Sequence, residues 1–207
     1  MPAASTERTN ARKEEIVNAC EKLYQTMSFK EITLKEIGKE TSFSRTSIYN
    51  YFQTKEEIFL ALLKREYDLW IMQLKEEMET HETMSDDGIA DVLAKTLCDR
   101  LQLLKIMSMN HYDLEENSRM EQLVEFKASY GTAMKTVMQL LEKFRPDMDK
   151  QKRQEFIYSF FPFLFGIFPY TVVTDKQKEA MEKANVNYSY SSPYDLTFTA
   201  VKRMLKN

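Results

Sequence analysis

Apolar residues along the chain recur at helical intervals. After a polar arm to about Asn10, residues Ile16, Cys20, Leu23 and Met27 are three or four apart, so the spacing predicts a first helix ending near Ser28. Thr33 precedes LKEIGKE with Glu36 three residues on, the capping-box arrangement, which predicts a short second helix whose Leu34 and Ile37 face inward. The small polar run TSFS reads as a tight turn. Ser44 is then expected to cap a third helix, Arg45 to about Phe52, with Ile48 and Phe52 four apart on its buried face. Two short helices joined this way have the proportions of a helix-turn-helix. Thr54 with Glu57 makes a second capping box and opens a long helix through Ile58, Leu62, Leu63, Leu69 and Met72 to about Met78.

Beyond HETMSDDG, the clearest linker, further helices are expected at about 87–108, 117–144, 149–172, 175–186 and 193–205, with breaks at 113–117, 145–146 and 188–193. No strand pattern or internal repeat stands out. The segment FFPFLFGIFPY is apolar all round and has to be covered on every side, while Gly166 permits close helix approach and Pro162 and Pro169 should kink or end the helix. The expected fold is all-α. Residues 1–53 form an N-terminal arm and three-helix helix-turn-helix domain, and residues 54–207 form a larger helical domain that starts with the linking helix 54–78.

Composition changes this picture only in places. Only 4 Gly and 5 Pro in 207 residues argue for long helices and few hairpins. The net charge of −3 does not advertise a nucleic-acid partner, and residues 1–64 hold ten Lys and Arg against nine Asp and Glu, so any DNA-binding surface has to be local. Cys20 and Cys98, isolated in sequence, read as reduced core thiols. MPAASTERTNARKEE has no apolar leader stretch, and the longest greasy run, 157–173, falls short of the roughly 20 residues of a membrane span. A cytoplasmic protein with no membrane partner is expected.

The third helix carries the functional pattern. At about 100° per residue, Arg45, Tyr49 and Asn50 lie opposite the Ile48/Phe52 face, with Thr46 and Tyr51 at its flanks. Arg can fork onto guanine, Asn can pair with adenine, and hydroxyls and tyrosines can hold phosphate oxygens or meet a thymine methyl. Helix starts at Thr33 and Ser44 favour phosphate as well. The plainer reading is that the tyrosines merely cover a small three-helix core, since this geometry occurs in many proteins that bind no DNA.

The stretch ITLKEIGKETSFSRTSIYNYFQTKEEIF resembles the DNA-binding signature of the TetR family of bacterial transcription regulators, over about residues 12–64. The rest resembles that family only in length and helical character. The resemblance implies base or phosphate contacts from Arg45, Thr46 and Ser47. It also implies contacts from Tyr49, Asn50 and Tyr51, phosphate contacts from Thr33 and Lys55, and core roles for Ile48 and Phe52. Ser28 and Ser42 stand where the family usually has glycine, and a left-handed backbone there costs serine about 1 kcal/mol, so a slightly altered turn is expected. Arg8 and Arg12 belong either to an arm reaching a minor groove or to a solvated tail.

For the larger domain the resemblance implies ligand binding and dimerisation. One side of the 160–170 helix would join the last helix, Tyr194 to Leu205, in a dimeric bundle, with Phe161, Gly166, Phe168, Phe198 and Val201 as interface candidates. The other side would line a cavity. Candidates for that cavity are Met107, Asn110 and His111 at a helix end, Phe126, Tyr130 and Met134 spaced by four, and Phe165. Methionine adapts to varied shapes, which suits a small apolar or aromatic effector, although each such residue also suits an ordinary core.

No GxxxxGK, HExxH or GxSxG sequence occurs, so an enzyme is not expected. Two histidines, no paired cysteines and no carboxylate cluster point to no metal and no cofactor. The chain therefore reads as a ligand-responsive regulator. The expectation is a repressor that binds a near-palindromic double-stranded DNA operator as a homodimer and is released by a small-molecule effector. The alternatives are a helical protein-interaction module without DNA binding, or an activator with the same reading head.

Overall fold

The computed structural model describes residues 2–109 and 111–206, with the side chains of residues 2–6, Arg45 and His111 outside the description. Among the described residues there are helices and no strand. They run α1 (Pro2–Tyr24), α2 (Leu34–Lys39), α3 (Arg45–Ile48), α4 (Lys55–Thr80), α5 (Asp86–Cys98), α6 (Leu101–Met107), α7 (His111–Glu116), α8 (Met120–Phe144), α9 (Lys150–Thr171), α10 (Asp175–Lys183) and α11 (Pro193–Lys206). No single described helix is long and apolar enough to cross a membrane.

Several boundaries differ from the sequence expectation for local reasons. The polar arm is helical, part of α1. α3 ends after four residues, and residues 49–51 continue as turns held by the Tyr51 and Phe52 amides on the Ile48 carbonyl at 2.8 and 2.9 Å. The expected helix 87–108 is divided at Asp99–Arg100, and the expected break at 113–117 falls largely within α7. α9 runs through Pro162 and Pro169. A Cβ at Gly166 would meet only the Tyr170 ring, at 4.0 Å, so no close helix approach is made there within this chain. At the end of α10, Asn185 takes the left-handed backbone, φ 53°, that asparagine tolerates.

The chain divides into two compact units, Met1–Arg65 with Asn110–Ala128, and Glu66–Met109 with Ser129–Asn207. The unit carrying the helix-turn-helix thus extends into α4 and takes in α7 and the start of α8. Its core joins Ile16, Cys20, Ile32, Ile37, Ile48, Phe52, Ile58, Phe59 and Leu62. Tyr24 and Phe29 meet the Phe59 ring edge-on at 5.0 and 4.9 Å. Arg65 ties α4 to α1 by donating to Asn18 at 2.5 Å and Glu21 at 2.7 Å.

In the second unit α11 packs on α5 and α9, and α6 packs on α9. Its centre is aromatic. The Trp70 ring lies 6.5 Å from Phe160 and 6.2 Å from Phe161, and Tyr130 meets Phe161 edge-on at 5.5 Å. Met72, expected inward, is 65% exposed, while Trp70 and Leu74 take the inner face of α4. The all-round coverage expected of the 160–170 segment is incomplete within the chain. Phe160, Phe161, Leu164 and Ile167 are buried, but Phe163, Phe165 and Phe168 are only half-buried and Tyr170 is exposed.

Both cysteines are free thiols. Burial pushes the Cys20 thiol up to about 12, so it holds almost no thiolate at neutral pH. Cys98 is half-buried. A thiol-exchange reagent is expected to label Cys98 in the native protein and Cys20 only after unfolding, and equal native rates would contradict this burial pattern.

Candidate nucleic-acid interface

The reading face is built by burying its opposite side. Ile48 and Phe52 are in the core, which turns Thr46, Tyr49 and Asn50 outward, with Tyr49 45% exposed. Ser47 and Tyr51 are half-buried at the flanks. The Arg45 side chain lies outside the described residues. Four residues cannot hold a helix by themselves, so the orientation of α3 is set by packing and by the hydrogen bonds around it.

Thr33 sits at the N-cap of α2, where its Oγ1 accepts from the Glu36 amide at 3.3 Å and its hydroxyl donates to the Glu36 carboxylate. Ser44 occupies the N-cap position of α3 but makes no side-chain cap. Its hydroxyl pairs with that of Ser47 at 3.1 Å, which corrects the capping role expected of it. Lys55 is half-buried. Its ammonium donates to the carbonyls of Phe29 and Ile32, at 2.7 and 3.1 Å, and lies 4.1 Å from the centre of the Phe29 ring. A lysine held this way closes the α1–α2 connection, and these two bonds use two of its three ammonium protons.

The two serines at glycine positions show why the turn is not strained. Among the described residues Asn185 alone of the non-glycine positions has a positive φ, so neither Ser28 nor Ser42 is left-handed. Each uses its hydroxyl instead. Ser28 donates its amide and hydroxyl to Glu31 at 2.8 and 2.7 Å, and Ser42 donates both to Glu15 of α1. The Ser42 amide, then its hydroxyl, hold the Glu15 carboxyl below its ordinary value. Arg12 lies on α1 with its guanidinium 5.2 Å from the centre of the Phe43 ring, so it belongs to the frame of the turn and not to a loose tail.

The least expected feature is an ion pair beneath the end of the recognition segment. Glu57 is 1% exposed. Arg119 forks onto it, Nε to Oε1 at 2.6 Å and Nη2 to Oε2 at 2.9 Å, and the same Nη2 donates to the Tyr51 carbonyl at 3.0 Å. The backbone amides of Gln53 and Arg119 add bonds of 2.7 and 3.0 Å to the carboxylate. Thr54 completes the junction by donating to the Asn117 carbonyl at 2.9 Å. Burial pushes the Glu57 carboxyl up, but the Arg119 bonds and the two amides outweigh it and hold it below its ordinary value. The Thr54–Glu57 spacing signalled a cap, and the Glu57 amide does donate to the Thr54 hydroxyl at 3.2 Å. Nothing near Arg119 in the sequence signalled its partner, 62 residues away.

The expected effector residues lie in several places. Met107 is buried, with the Tyr67 hydroxyl 3.4 Å from its sulfur. Tyr130 is half-buried against Tyr67 and Phe161, Phe126 is buried in the first unit, and Phe165 is half-buried. Met134 lines a groove of about 470 Å³ with Met138, Gln154 and Ile157. Asn110 and the His111 side chain lie outside the described residues. A further groove of about 480 Å³, missed in the sequence, is walled by Tyr170, Met181, Tyr188 and Tyr190. Of the expected dimer residues, Phe161 and Val201 are buried in the chain's own core, and Gly166, Phe168 and Phe198 are half-buried.

A helix-turn-helix with an outward polar face, joined to a second helical unit, is the geometry that a helix-turn-helix transcription regulator needs. Residues 16–62 match the family described as Bacterial regulatory proteins, tetR family, and residues 64–192 match Tetracyclin repressor-like, C-terminal domain. The chain belongs to the TetR family of DNA-binding transcriptional regulators, which is not a class of enzymes.

The uncharacterized HTH-type transcriptional regulator YfiR of Bacillus subtilis (strain 168) is 28% identical over 78 residues, which span 38% of this chain and 38% of that relative. The fold is shared with the fatty acid degradation regulator FadR of Bacillus halodurans, with a TM-score of 0.58 at 13% identity over 94% of each chain. A TerR/AcrR family regulator of Aquifex aeolicus VF5 has a TM-score of 0.55 at 16% identity over 94% of this chain and 97% of that one. For MbdR of Azoarcus sp. CIB the TM-score is 0.53 at 18% identity, over 94% of this chain and 96% of that one.

Proposed function

We propose that this protein is a cytoplasmic repressor that binds a near-palindromic operator as a homodimer and is released by a small apolar or aromatic effector. The observation that carries the DNA-reading part is the outward display of Thr46, Tyr49 and Asn50 on a segment whose other side is sealed by Ile48 and Phe52. Base contacts come from this face, together with Arg45 and Ser47. Thr33, Ser44, Tyr51 and Lys55 lie beside it as backbone contacts. The half-covered faces of α9 and α11 support dimerisation, since Phe163, Leu196, Ala200 and Met204 line a shallow groove of about 370 Å³ there. Two reading heads one turn of DNA apart, or a multiple of it, then read two half-sites. An effector releases the DNA only by binding the released arrangement better than the bound one.

Fluorescence anisotropy on duplexes obtained by random-sequence selection tests this. The logarithm of the wild-type binding constant is expected to fall linearly with log salt as phosphate contacts release counterions. Tyr49→Ala and Asn50→Ala are each expected to weaken binding about five-fold or more, the scale of one good base contact. Binding absent at low salt, or indifferent to salt and to both substitutions, would favour a protein-interaction module instead.

A further inference from the structure

We infer that Arg119 is a positioning residue for DNA reading, holding the end of the recognition segment against the junction of α7 and α8. The inference rests on the DNA-reading function proposed above. Past Ile48 the recognition segment continues as turns to Tyr51, and Arg119 donates to the Tyr51 carbonyl at 3.0 Å. The same guanidinium grips the buried Glu57 with two bonds, so it cannot leave Tyr51 without disturbing the start of α4. The Thr54 bond to the Asn117 carbonyl makes a second connection, three residues before Glu57 and two before Arg119.

These contacts bridge 62 to 68 residues of sequence and join three segments, the recognition segment, the start of α4 and the turn before α8. Tyr51 directly follows Tyr49 and Asn50, two exposed side chains of the reading face. Fixing its carbonyl therefore fixes the angle at which they are presented. Arg119 also directly precedes α8, which begins at Met120 and continues to Phe144.

A fork and a point charge are not equivalent here. Lysine keeps the charge against Glu57 but cannot hold both carboxylate oxygens and the Tyr51 carbonyl in one plane. Glutamine removes the charge and is shorter, keeping a donor only about where Nε lies and losing the Nη2 that reaches the Tyr51 carbonyl.

The test compares wild type, Arg119→Lys, Arg119→Gln and Thr54→Val on a duplex selected by the wild-type protein and on a scrambled duplex of the same composition. A positioning role predicts that Arg119→Gln loses about ten-fold on the selected duplex while changing less than about two-fold on the scrambled one, because only sequence reading needs the angle. Arg119→Lys and Thr54→Val fall between it and the wild type. A merely structural role lowers the active fraction and so weakens both duplexes equally. Equal loss on both, or no loss on the selected duplex in any variant, overturns the inference while leaving the DNA-reading function in place. A wild-type protein that selects no sequence overturns both. If Arg119→Gln fails to fold, the ratio of the two affinities in Arg119→Lys decides in the same way.

Discussion

Replacing Trp70 with alanine is expected to lower stability by about 3–5 kcal/mol, the range for removing a large aromatic side chain from a packed core. Trp70 is fully buried, touches the rings of Tyr67, Phe160 and Phe161, and donates its indole N–H to the Thr96 hydroxyl at 3.0 Å. Alanine leaves a void that three rings on two helices have to close, and interiors packed to crystal density relax only partly. The lost hydrogen bond matters less, because the Thr96 hydroxyl also donates to the Val92 carbonyl at 2.8 Å. Phenylalanine at this position is therefore expected to cost clearly less than alanine. Denaturant unfolding followed by far-ultraviolet circular dichroism measures both, with a lowered midpoint at unchanged slope. A loss under about 1 kcal/mol for Trp70→Ala would contradict the close packing.

Arg119→Leu is expected to cost about 2–4 kcal/mol at neutral pH, somewhat below the range for a fully buried pair because the Arg119 side chain is 38% exposed. The cost arises at Glu57, whose carboxylate stays buried and keeps only two backbone amides. The dependence on pH identifies the source. In the wild type the Glu57 carboxyl is held below its ordinary 4.5, so its contribution to stability is complete above that value and is lost as pH falls through the lowered folded value. In the variant the burial that Arg119 offset acts with less opposition, so the carboxyl moves up and protonates earlier. The difference in unfolding free energy between wild type and variant is therefore expected to shrink as pH falls below about 4.5. Unfolding midpoints measured from neutral to acid pH check this, and a constant difference would place the damage elsewhere than Glu57.

The sequence by itself determined the elements whose signals are local. The four-residue spacing of Ile48 and Phe52 set which side of the recognition segment is buried, and so which residues face out. Thr33 with Glu36 and Thr54 with Glu57 marked the starts of α2 and α4, because a cap is a contact between residues three apart. The scarcity of glycine and proline matched an all-helical chain, and the recognition-segment residues carried the family resemblance.

Only the tertiary structure decided what depends on distant partners. Ser28 and Ser42 sit at positions where a left-handed backbone was expected, yet Glu31 and Glu15 give their hydroxyls and amides partners that keep the backbone in ordinary geometry. The recognition helix stops after Ile48, and its continuation is held by Arg119 from another part of the chain. The family resemblance makes Phe161 and Val201 interface candidates, and only packing shows that both are enclosed within the chain. Periodicity tells which side of a helix is buried. What covers that side, and which charge meets which carboxylate, is set by how the helices pack together.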